Sequence, residues 1–216
     1  MRFGIVTFPG SNCDYDAFHA VTEILGEEAA YLWHKDHDLQ GSDVIVLPGG
    51  FSYGDYLRVG AIARFSPIMY EVIAHAKTGG PVLAICNGFQ IACEAGLLPG
   101  ALMRNSHLQF VSAEVQIRVE NSDTMFTNLY DRGEVLRIPV AHGDGRFVAT
   151  DDVLDRLEAE GRVRGHEQAG KRRPGADALD EGVVRRSADG LVEVLDDRDA
   201  DARRGQPLQA LVGVHE

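Results

Sequence analysis

Val82-Leu83-Ala84-Ile85-Cys86-Asn87-Gly88-Phe89-Gln90-Ile91 reads as a strand, a sharp turn and the opening of a helix in one short stretch. A nucleophile at such a turn is lifted above the sheet on a strained backbone, and small neighbours permit the close approach. Gly88, two residues after Cys86, meets that steric need. The turn also sets the sulfur near a helix N-terminus, whose partial positive charge favours the attacking thiolate. The Asn87 backbone N–H would then point where an oxyanion develops. The plainer alternative makes Cys86 a buried small apolar side chain. Its elbow setting and a Gly-Gly loop elsewhere in the chain weigh against that.

Outward from the elbow, apolar runs alternate with helical stretches. Phe3 to Phe8 is a strand closed by Pro9-Gly10, and Ser11, Asn12 or Asp14 can cap a helix running to about Leu25. Ala29 to Trp33 and Asp43 to Leu47 are further strands, the second ended by Pro48-Gly49-Gly50. Apolar positions at helical spacing run from Ile68 to Lys77, before Thr78-Gly79-Gly80 and the strand Pro81 to Ile85. Strands rich in branched residues, each followed by a helix, predict an α/β fold: an open, mostly parallel sheet with helices on both faces. In such sheets ligands collect beyond the carboxyl ends of the strands. Gly49, Gly50 and Cys86 all fall at that edge. A glycine there can present a bare N–H as a second oxyanion donor.

The later sequence is different. Glu114 to Val119 alternates like a half-buried strand, and Val135 to Val140 is its expected partner, followed by the turn His142-Gly143-Asp144-Gly145-Arg146. From residue 148 onward there is no Phe, Tyr or Trp, and charged runs such as Lys171-Arg172-Arg173 dominate. A helix from about Asp152 to Glu160 is expected, with Val153, Leu154 and Leu157 on one face. Beyond Gly161 only residues 190 to 195 and 208 to 214 look structured. Residues 1–160 therefore read as one domain. Residues 161–216 read as an atypical charged tail, either disordered or altered by a frameshift.

Whole-chain properties narrow the function. The formal net charge of -12 argues against nucleic acid as a partner. No apolar run approaches the ~20 residues of a bilayer-spanning helix, and Met1 leads straight into a strand pattern, so a cytoplasmic protein is expected. Cys13, Cys86 and Cys93 show neither metal-ligand spacing nor a disulfide framework. No metal site is expected. Cys93, inside the helix after Cys86, reads as packing.

Cys86-Asn87-Gly88-Phe89-Gln90 closely resembles the cysteine motif of class I (triad-type) glutamine amidotransferases. Phe8 to Asp14, Pro48 to Arg58, Arg104-Asn105 and Ile138 to Phe147 are similar to segments of one family within that class. It comprises the glutaminase subunits of phosphoribosylformylglycinamidine synthases. The resemblance implies that Cys86 attacks the side-chain amide of glutamine and forms a glutamyl thioester. Ammonia passes to an ATP-dependent synthetase partner in de novo purine biosynthesis, in a complex with a small third subunit. It implies oxyanion donors at Gly50 and Asn87, beside Gly49, and Gln90 near the glutamine pocket. ATP and Mg²⁺ are implied for the partner alone, with no cofactor in this chain.

The family completes its triad with a His and a Glu in a His-Pro-Glu segment, which this sequence does not contain. His142 belongs to the matched glycine-rich segment, while His166-Glu167 lies in a charged stretch with no strand before it. His215 is at the extreme end. Two further readings stay open on the sequence: a docking subunit with impaired or lost catalysis, and a cysteine hydrolase of the intracellular-protease-like superfamily.

Overall fold

Runs of branched apolar residues can be buried on both faces only in a sheet covered on both sides. Val44–Leu47 is such a run, with every residue buried. The computed structural model describes residues 1–159, apart from 107 and 120, and three later strands, Val163–Glu167, Leu191–Glu193 and Ala210–Leu211. These residues fall into two compact units. One comprises Met1–Pro99 with the strand Ala210–Leu211; the other comprises described residues of Gly100–Glu193.

In the first unit the strands are β1 (Arg2–Thr7), β2 (Glu28–Trp33), β3 (Val44–Leu47) and β4 (Val82–Ala84). With Ala210–Leu211 they make one five-stranded sheet, in the order Ala210–Leu211, β4, β3, β1, β2. Every pairing in it is parallel. Read from the other edge, the order is flavodoxin-like. The chain order reverses between β1 and β3, so their carboxyl ends flank the crevice where such sheets place ligands.

Ile5, Val46 and Leu83 stand in register across three strands. Ala17, Phe18 and Val21 pack in the same cluster. They come from the helix α1 (Asp14–His19) and the wider π-helical turn Ala20–Ile24 that continues it. Burying a side chain such as Ile5 or Val46 contributes about 1.5–3 kcal/mol. The helix α2 (Pro67–Lys77) buries Ile68, Met69, Val72 and Ala76, and starts with proline in its first turn. The helix α3 (Asn87–Glu94) packs on β3 and β4. The expected strands and the helix from Ile68 are present, with ends shifted by a residue or so.

The cap of α1 is not the one expected. Cys13 occupies the cap position, and its side chain does not cap the helix. Ser11 instead closes its own turn, its Oγ accepting from the Phe8 N–H at 3.1 Å and donating to the Phe8 carbonyl at 2.8 Å. A local turn has outcompeted the helix for that hydroxyl.

The second unit is built on the antiparallel pair β6 (Val111–Val119) and β7 (Val135–His142), aligned from Val111 opposite His142 to Arg118 opposite Val135. β7 is an edge strand of its four-stranded sheet, which accommodates Pro139. A short pair, β5 (Ala101–Met103) with β8 (Arg146–Val148), was not expected from the sequence. The helix α4 (Asp151–Ala159) matches the one read from Val153, Leu154 and Leu157. β9 (Val163–Glu167) pairs with both β6 and β10 (Leu191–Glu193). The charged stretch through His166 is therefore a strand, a correction to its reading as unstructured chain. Ala210–Leu211 is β11. The rest of the tail, with His215, lies outside the described residues. Among the described residues no helix is long and apolar enough to cross a membrane.

Candidate active site

β4 delivers the chain to Cys86, and α3 carries it away. Between them Cys86 has φ 48° and ψ −107°, a conformation that non-glycine residues avoid. The turn is held from both sides. Ile85 N–H donates to the Leu47 carbonyl at 2.9 Å, while Phe89 N–H and Gln90 N–H donate to the Cys86 carbonyl at 3.0 and 3.2 Å. Gly88 lies so close to the end of β3 that a Cβ there would fall on the Leu47 carbonyl oxygen. The elbow expected from the sequence is therefore real, and glycine at 88 is a packing requirement.

Cys86 is partly exposed, whereas Cys13 and Cys93 are buried. Burial around the Cys86 sulfur pushes its thiol pKa above the ordinary value. The Asn87 backbone N–H opposes that shift by favouring the thiolate, and the nearby Asp55 carboxylate adds to it. The sequence reading has the helix N-terminus favour the thiolate. The Asn87 N–H acts in that direction, and desolvation of the sulfur outweighs it.

Beyond β3 the chain enters Pro48-Gly49-Gly50, where Gly49 is buried. Gly50 has φ 121° and faces Ser11 across an isolated antiparallel bridge. A Cβ on Gly50 would lie 2.7 Å from the Asn12 nitrogen, so the loop from β1 and the loop from β3 touch where only glycine fits. Next, Tyr53, Gly54 and Asp55 all take positive φ, at 58°, 66° and 54°. Such a run persists only when its surroundings over-determine it. The Tyr53 hydroxyl lies 2.6 Å from His34 Nδ1 and 2.9 Å from Ser66 Oγ, and the Tyr53 N–H donates to the Pro9 carbonyl at 2.5 Å.

The side chain of Asn87 ties this loop to the elbow. It is 1 % exposed. Its Oδ1 accepts from the Ser52 N–H at 3.1 Å, and its Nδ2 donates to Asp55 Oδ1 at 3.3 Å and to Gln90 Oε1 at 3.1 Å. Cys86, Asn87, Gln90 and the Gly49-Gly50 loop are thus held in one constellation. The sequence indicated the Asn87 N–H but not its carboxamide, because contacts to residues 52 and 55 depend on how the loop returns.

Residues 1–166 match a CobB/CobQ-like glutamine amidotransferase domain family. The chain is 57% identical over 162 residues to phosphoribosylformylglycinamidine synthase subunit PurQ of Salinibacter ruber, covering 75% of this chain and 69% of that protein. The chain belongs to the PurQ family. The PurQ subunit of Chlorobaculum tepidum is 59% identical over 160 residues, 74% of this chain and 68% of that one. A chain in the structure of PurLQS from Thermotoga maritima superposes with a TM-score of 0.69 at 47% identity, covering 77% of this chain and 74% of that chain. PurQ membership favours neither an intracellular-protease-like hydrolase nor a merely docking subunit.

A second constellation in this PurQ chain centres on Asn105, in the other unit. It is 1 % exposed. Its Nδ2 donates to the carbonyls of Gln109 and His142 at 2.9 and 3.0 Å. Its Oδ1 accepts from the Gly145 N–H and lies against His142 Nδ1, both at 3.0 Å. His142 is thus engaged in shaping its own glycine-rich loop, as its place in the matched segment implied. His166, read from the sequence as part of a charged stretch, falls in β9, opposite Arg118 of β6.

Proposed function

We propose that this chain is the glutaminase subunit of a phosphoribosylformylglycinamidine synthase. The observation that carries the reading is the strained Cys86 elbow, bound by Asn87 to a glycine loop, in a chain of the PurQ family. The Cys86 thiolate attacks the side-chain carbonyl carbon of glutamine. Negative charge gathers on the oxygen, where the N–H groups of Gly50 and Asn87 are the proposed donors beside Gly49. Collapse of the adduct breaks the carbon–nitrogen bond, and the nitrogen leaves as ammonia after taking a proton. Water then attacks the glutamyl thioester, releasing glutamate and restoring the thiol. Gln90 lines the glutamine pocket.

Ammonia is delivered to a synthetase subunit that uses ATP and Mg²⁺, within a complex that includes a small third subunit. The chain carries no cofactor of its own and works in the cytoplasm. Labelling the full chain with a chloroketone analogue of glutamine, followed by peptide mapping, tests this reading. Modification of Cys86 that glutamine protects against is the expected result. Modification at Cys13 or Cys93 instead, or none at Cys86, overturns it.

A further inference from the structure

We propose that the Asn87 carboxamide is a positioning residue that latches the loop carrying Gly49 and Gly50 onto the Cys86 elbow. The inference rests on the glutaminase reading above and assigns the side chain a role in it. A carboxamide offers one acceptor and two N–H donors, and all three are used here. Ser52 can only donate through its N–H, and the Asp55 carboxylate can only accept, so the oxygen and nitrogen of Asn87 have one workable assignment. The third bond, to Gln90, fixes the amide against α3.

No other side chain of that size meets these demands. Aspartate supplies the acceptor for Ser52 but no donor, and it sets a second negative charge against Asp55. Leucine fills the space and satisfies neither partner. The latch matters because the loop is strained: three successive residues with positive φ follow Ser52. Its other anchors run from Tyr53 to Pro9, His34 and Ser66. The Asn87 side chain thus ties the loop to the same residue whose backbone N–H favours the sulfur as thiolate. One residue therefore registers the loop and the nucleophile against each other.

Reciprocal exchange tests this. In Asn87→Asp, labelling of Cys86 by the chloroketone slows by about tenfold or more, the effect of losing charged-group hydrogen bonds. In the double variant Asn87→Asp with Asp55→Asn, the asparagine at 55 donates, the aspartate at 87 accepts, and Gln90 reverses its amide. Labelling then recovers to within about threefold of the parent chain. The pH dependence of Cys86 alkylation by iodoacetamide gives a second readout. It moves to higher pH in Asn87→Asp and to lower pH in Asp55→Asn, following the negative charge near the sulfur. A loss of packing alone moves neither profile in this way.

Hydrogen exchange across residues 50–57 reads the latch without any substrate analogue. Exchange quickens in Asn87→Leu, with α3 still protected. Failure of the chloroketone on the parent chain overturns the glutaminase reading, while the exchange and iodoacetamide profiles still report on the latch. Undiminished chloroketone labelling in Asn87→Asp, no recovery in the double variant, or unchanged exchange in Asn87→Leu overturns the latch itself.

Discussion

Glycine and alanine at position 86 separate the strain of the elbow from its chemistry. Cys86 holds φ 48° and ψ −107° because the bonds around it leave the chain no other path. Glycine adopts that conformation freely, so Cys86→Gly is expected to raise stability by about 1 kcal/mol, after allowance for the added freedom of its unfolded chain. Cys86→Ala keeps the strain and leaves stability near that of the parent, and both abolish labelling. Urea midpoints at unchanged slope check the comparison. Gly88→Ala acts in the opposite direction, because its methyl meets the Leu47 carbonyl, which is itself held by Ile85. Overpacking of this kind costs about 1–3 kcal/mol, and the displaced elbow loses chloroketone labelling as well. The sequence showed why position 88 must be small. It could not show that the obstacle is a backbone oxygen of another strand.

At the scale of elements, the loop after β3 depends on a buried histidine. His34 is 4% exposed, and burial together with Lys35 holds its pKa below the ordinary value of 6.5, with Asp36 opposing. Below that pH the unfolded chain takes up a proton that the folded ring resists, so stability falls as pH drops. The ring nitrogen Nδ1 also lies 2.6 Å from the Tyr53 hydroxyl, an anchor of the strained loop. Lowering the pH from about 7.5 to about 5.5 is expected to reduce the melting temperature and to speed exchange across residues 50–57. In His34→Asn the pH-dependent part of both effects shrinks. A slope unchanged by that substitution would place the titrating group elsewhere. Nothing in Trp33-His34-Lys35 revealed this role, since it depends on a tyrosine two strands away. The buried strands were legible because their branched residues run without interruption. β9 was not, because Arg164, His166 and Glu167 carry polar side chains through a strand paired on both sides. The cap of α1 was misread for a related reason, as Ser11 had a nearer backbone partner.

For the whole molecule, binding chemistry and turnover chemistry come from different parts of the sequence. The flavodoxin-like sheet brings the loops after β1 and β3 together beside the elbow after β4, and these hold the nucleophile and its proposed oxyanion donors. The family resemblance implies a base and an orienting carboxylate in a His-Pro-Glu segment, which the 216 residues do not contain. A chloroketone needs only a positioned thiolate and a glutamine-shaped pocket. Glutamine needs more, because ammonia is a poor leaving group until a proton reaches it, and a positioned acid–base group typically supplies 10²–10⁴ in rate. Compared with a PurQ subunit that carries the segment, the chain is therefore expected still to react with the chloroketone at Cys86, but faster only as rising pH draws the proton from the sulfur. Its glutamine turnover should be lower by about 10²–10⁴. Imidazole added in solution should raise the turnover of this chain and leave chloroketone labelling unchanged, since it can stand in for the missing base but not for the pocket. Parallel rates of labelling and ammonia release, measured with and without imidazole, decide the matter. Turnover equal to that of the complete subunit and indifferent to imidazole would mean that another group of this chain delivers the proton.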